Sequence, residues 1–123
     1  MMKDVNGTIN YKGKEYKVVF NINVMESIQE EYGSVEKWGT LCDPSNGEPN
    51  VKAFKYGIRE MINEGIDINN EENGTDDSPL TLKQVGRLIT ELGQNNVMEV
   101  VNKTIIESSK SVEKNGSSTK KKK

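Results

Sequence analysis

Histidine is missing from the chain altogether, which removes the side chain most used as a general base and metal ligand near neutral pH. Cys42 is the only cysteine, so an intrachain disulfide and a thiolate metal cluster are both excluded. A single free thiol fits a reducing compartment. Apolar residues are scarce at 33%, against 29% charged, and aromatics make up 6%. No stretch approaches the ~20 apolar residues of a membrane span, and the opening Met1 to Gly7 has no apolar run of the signal-peptide kind. What remains, in 123 residues, is one domain's worth of chain with enough apolar side chains for a modest core.

Charge is present but uneven. The formal net charge is −2, yet residues 110–123 hold six lysines and one glutamate, a formal +5, which leaves −7 on the rest. A body this acidic repels phosphate backbones, since nucleic-acid binding rests on lysine and arginine neutralising phosphates. From Lys110 onward apolar residues almost vanish, so 110–123 reads as a disordered basic tail on a domain spanning 1–109.

The pattern along that domain predicts an α+β fold, mostly α: an N-terminal β-hairpin packed on four to five short helices. Ile9 and Tyr11 lead into Lys12-Gly13, and Tyr16, Val18, Phe20 and Ile22 then alternate with Glu15, Lys17, Val19 and Asn21. Period-two alternation puts one face on a core. Asn23 suits a helix N-cap, Val24, Met25, Ile28 and Tyr32 keep helical spacing, and Gly33 suits the left-handed end. Ser34 caps a second helix with Val35, Trp38, Leu41 and Cys42 on one side, broken at Asp43-Pro44. After Asn50, the stripe Val51, Phe54, Ile58, Met61 and Ile62 predicts a third helix ending at Gly65. Asp67 to Ser78 reads as a mobile polar loop. Thr81 and Gln84 spell a capping box, opening a fourth helix whose stripe is Val85, Leu88, Ile89 and Leu92, with Gly93 at its end. A fifth carries Val97, Val100, Val101, Thr104 and Ile105 and fades at Ser108-Ser109.

No constellation here asks for chemistry. The carboxylates sit in polar contexts without the burial that tunes a catalytic acid, so the reading is non-enzymatic, with no cofactor and no metal. The segment from Asn69 has a faint calcium-loop pattern, but its twelfth position is Leu80, where a bidentate glutamate is required. The fourth and fifth helices around Gly93 could form a helix-turn-helix. The fifth, however, offers Glu99 and Glu107 and no arginine, so nucleic acid is not the expected partner. The terminal lysines alone make only a weak membrane anchor, and no membrane association is expected. The fifth helix carries a wide apolar face, and Val97, Met98, Val101 and Ile105 are the candidate partner-binding residues; core packing is the other reading of the same four.

Three segments, in order, resemble the tail assembly chaperones of long-tailed bacteriophages and related prophages. One is Tyr16-Lys17-Val18-Val19-Phe20-Asn21-Ile22-Asn23-Val24-Met25, continuing to Tyr32-Gly33 and on to Trp38. The next is Phe54-Lys55-Tyr56-Gly57-Ile58-Arg59-Glu60-Met61-Ile62-Asn63-Glu64-Gly65. The last is Pro79-Leu80-Thr81-Leu82-Lys83-Gln84-Val85-Gly86-Arg87-Leu88-Ile89. The resemblance implies a protein that binds the tape measure protein, keeps its apolar helices soluble and helps recruit tail tube subunits. It leaves room for a homo-oligomer. It also implies residence in the host bacterial cytoplasm and absence from the mature virion. Many members of that family are made in two lengths by frameshifting, and Lys120 to Lys123 implies an A-rich run of codons where a ribosome can slip. A small phage DNA-binding regulator and a minor structural tail component are the competing readings.

Overall fold

A computed structural model of the chain describes residues 7–121, with backbone only for Asn46 and for residues 109–121. The expected disordered tail over 110–123 falls outside the described side chains.

The order of elements is β1 (Gly7–Tyr11), β2 (Lys14–Val18), α1 (Ile22–Tyr32), α2 (Val35–Cys42), a short 3-10 turn (Pro44–Asn46), α3 (Val51–Asn73), α4 (Leu82–Leu92) and α5 (Gln94–Lys121). This is the expected hairpin followed by five helices. β1 and β2 pair antiparallel from Gly7 with Val18 to Tyr11 with Lys14. The two residues between them, Lys12 and Gly13, both have positive φ (52° and 76°), the left-handed pair whose twist matches a two-residue hairpin. Ile9 and Val18 face the core while Thr8, Asn10, Glu15 and Lys17 face water.

β2 lies along α3 and β1 along α5, so the hairpin is wedged between the two longest helices, with α1 and α2 on α3 and α4 bridging α3 to α5. The core is one cluster: Ile9, Val18, Phe20, Val24, Ile28, Trp38, Phe54, Ile58, Met61, Ile62, Val85, Leu88, Val97 and Val101 are among its buried members. Polar groups tie α5 to the hairpin end. Buried Thr104 accepts the Gly7 N–H at 3.0 Å, and Ser108 Oγ donates to the Phe20 carbonyl at 3.0 Å. Ser108 is therefore a packed helical residue, where the fading pattern puts the end of the helix.

Three boundaries before α4 differ from the pattern, each for a visible reason. The strand stops at Val18, which pairs with Gly7, and the next amide, the Val19 N–H, donates to the Met61 carbonyl of α3. The chain then turns early. Asn21, not Asn23, caps α1, its side chain accepting the Val24 N–H at 3.2 Å. Asn21 and Asn23 both donate to Glu64 Oε2, at 2.8 and 3.0 Å. Ile22 thus belongs to the first turn of a helix and is 72% exposed.

Gly65 does not end the third helix. It is buried beneath β2, and a Cβ there would overlap the Lys17 carbonyl oxygen, so glycine serves close approach of strand to helix. The helix runs on to Asn73, where Gly74 (φ 67°) takes the left-handed cap. The segment 67–78 is accordingly half helix. Two asparagines of α3, one heptad apart, hold the chain between α3 and α4. Asn63 donates to the Leu80 carbonyl (3.0 Å) and accepts the Leu80 N–H (2.8 Å). Asn70 does the same with Asp77, at 3.0 and 2.9 Å. The capping box of α4 forms as the sequence implies, with both the Thr81–Gln84 bonds present, a local contribution of about 1 kcal/mol.

Candidate partner-binding site

Where a helix pair leaves an apolar gap, a third helix or strand can fill it, and such a gap lies between α2 and α5. Its position follows from how α2 is seated. Ser34 caps α2, accepting the Lys37 N–H. One turn in, Trp38 packs its indole edge against Gly57 of α3, where any Cβ would overlap the ring. The Trp38 Nε1–H donates to the Ala53 carbonyl at 2.8 Å. This fixes α2 on the first turns of α3, and the 3-10 turn then folds back beside α5, with Asp43 capping it by accepting the Ser45 N–H.

The result is a groove of about 420 Å³. Trp38, Cys42 and Pro44 form one wall, Phe54 the floor, and Met98 and Ile105 the other wall, with Asp43 and Asn102 at the mouth. Of the four residues expected to meet a partner, Met98 and Ile105 are half-buried and line the groove. Val97 is buried in the core with no side in the groove, and Val101, 2% exposed, reaches it only from beneath. The helical stripe of α5 thus divides: Val97, Val101 and Thr104 seal it to the fold, and Met98 with Ile105 rides one step round the helix. The groove's other residues, Trp38, Cys42, Pro44 and Phe54, were not among the sequence candidates. The Trp38 and Cys42 spacing of one helical turn carries the signal, but only their pairing with α5 turns it into a wall.

The electrostatics suit capture of apolar surface. Burial pushes the Cys42 thiol up to about 11, so it stays protonated and behaves as a small hydrophobe. Asp43, by contrast, is held below the usual carboxylate range by the Ser45 N–H and hydroxyl and keeps its charge at the mouth. A methionine in an apolar wall adapts its three rotatable bonds to whatever shape enters. Among the described residues no three of Cys, Asp or Glu come together as a metal cage, and no helix is long and apolar enough to cross a membrane. No protein-family model, curated protein or solved structure matches this chain.

Proposed function

We propose that this chain is a non-catalytic assembly chaperone of a long-tailed bacteriophage. It acts in the host cytoplasm, holds apolar helices of the tape measure protein in solution, helps recruit tail tube subunits around them, and stays out of the finished particle. The observation that carries the reading is the groove between α2 and α5, an apolar trough walled by Met98, Ile105 and Trp38 on an acidic body. An apolar helix laid in such a trough loses its water-exposed stripe, at about 25 cal/mol per Å² removed from water. The acidic surface around it keeps the complex apart from its copies.

Co-expression with a candidate tape measure protein is the test. The tape measure is expected to become soluble and to co-purify with this chain, and Met98→Asp is expected to abolish that capture while leaving helical content unchanged. A tape measure that stays insoluble, with no complex formed, overturns the reading. The two-length proposal is tested by the gene: codons for Lys120 to Lys123 forming an A-rich slippery run, with an overlapping frame open beyond that run, support it, and a closed frame ends it.

A further inference from the structure

A second groove, of about 810 Å³, runs along the outer face of α4. Lys83, Gly86, Arg87 and Thr90 repeat at helical spacing on that face, which covers eight residues or about 12 Å, and Gln94, the first residue of α5, lies at its end. Phe54 lines this groove as well as the one between α2 and α5, so the two are neighbours across the start of α3.

Its charge runs against the rest of the molecule. Lys12, Lys55, Lys83 and Arg87 meet here with Glu91 as the only acid among the described lining residues, a local +3 on a body that carries −7 outside residues 110–123. Among the described residues none of the four cations is in an ion pair; the ion pairs are Lys14 with Asp77 and Arg59 with Glu60. Two of them are held in place. Lys12 sits over the Tyr11 ring, 5.5 Å from its centre. The Lys55 stem crosses α4 at Gly86, in contact range of where a side chain would stand. Beneath the cations the lining is apolar: Phe54, Ile89, Tyr11 and Val51, the last 59% exposed.

From this arrangement we infer that the α4 groove is a docking site for an amphipathic polypeptide helix bearing acidic side chains beside its apolar stripe. About two turns of helix match the face that α4 presents. The apolar stripe covers Val51 and Ile89, and carboxylates on either flank reach the unpaired cations. A nucleic acid fits less well. Its phosphates satisfy the cations but leave the apolar floor wet, and a duplex brings further phosphates against the acidic surface beyond the groove. The site adjoins the groove between α2 and α5 at Phe54 but is distinct from it, and its lining is the same whatever that groove binds.

The test uses the full chain and two labelled synthetic helical peptides of about 18 residues (about 27 Å long). They share one leucine stripe, and their flanking positions are glutamate in one and lysine in the other. Fluorescence anisotropy is expected to show binding of the glutamate peptide alone, weakening as salt rises. Lys83→Glu with Arg87→Glu is expected to weaken it at least tenfold, with an unchanged circular dichroism spectrum because both side chains are exposed. Val51→Asp is expected to weaken it too, which pure charge attraction would not require. Equal binding of the two peptides, no binding of either, indifference to Val51→Asp, or a DNA oligonucleotide that binds more tightly and displaces the glutamate peptide would each overturn the inference.

Discussion

Trp38 and Gly57 interlock: the indole edge of one fills the space where any side chain on the other would stand. The contact joins α2 to α3, and the hydrogen bond from Trp38 to the Ala53 carbonyl sets its direction. It also places one wall of the groove that meets α5. Gly57→Ala forces the ring or the helix to move, because a close-packed interior has no slack for an added methyl. A loss of about 1–3 kcal/mol is expected, read as a lower urea midpoint, together with changed Trp38 fluorescence. An unchanged midpoint would show that the ring has room to retreat.

Met98 and Val101 stand one turn apart on α5 yet should respond oppositely to the same change. Val101 is 2% exposed, so Val101→Asp buries an unpaired charge and is expected to cost on the order of 3–5 kcal/mol, enough to unfold a small domain. Met98 is half-buried on the groove wall, and Met98→Asp is expected to leave the thermal midpoint within a few degrees. Thermal melts of the two proteins side by side decide it. Equal collapse would return both residues to the core.

Asn63 and Asn70 hold a segment that composition alone marks as loose. Each side-chain amide closes two hydrogen bonds with one backbone position, Leu80 and Asp77 respectively. Asn63→Ala leaves both Leu80 groups unsatisfied where they are partly buried, at a cost of about 1–3 kcal/mol. Hydrogen exchange at the Leu80 amide should quicken markedly in the variant while the Leu88 amide in α4 stays protected. Unaltered exchange at Leu80 would mean that water replaces the clamp without penalty.

What was legible in the sequence is what is written locally. Lys12-Gly13, the Thr81–Gln84 box, the Ser34 cap, the start of α3 after Asn50, Gly33 and Gly93 each act through neighbours a few residues away, and each stands where the pattern puts it. Misplaced features depend on distant partners. Gly65 looks like a helix stop because nothing nearby reveals that Lys17 will lie on it. Asn23 looks as good a cap as Asn21 until the Val19 N–H turns to the Met61 carbonyl of α3 and the chain leaves the strand early. Half of the α5 candidates proved to be core, because a hydrophobic stripe records which side of a helix is dry but not where the dryness ends. The α4 groove was invisible for the same reason: Lys12, Lys55, Lys83 and Arg87 are scattered through the chain and meet only when the hairpin, α3 and α4 do.

Alkaline pH should weaken the fold through Cys42. Burial raises the thiol from its ordinary 9.0 to about 11. The folded state therefore holds this proton more tightly than the unfolded chain does. The stability it contributes is complete below pH 9 and is lost as pH climbs from 9 to about 11. Tyr32 and Tyr56, both raised above 10.0 chiefly by burial, push in the same direction at the upper end. Urea midpoints are thus expected to be flat from pH 7 to 9 and to fall beyond it, and Cys42→Ala should remove the part of the fall that begins nearest 9, since the tyrosines ionise later. The same burial protects the thiol chemically, because the thiolate is the reactive form. Iodoacetamide at pH 8 is expected to modify Cys42 at least tenfold more slowly in the native protein than in urea, and more slowly still when an apolar helix fills the groove that Cys42 lines. Native labelling as fast as in urea would show that the wall between α2 and α5 opens freely, and the groove would then be a transient feature instead of a preformed seat.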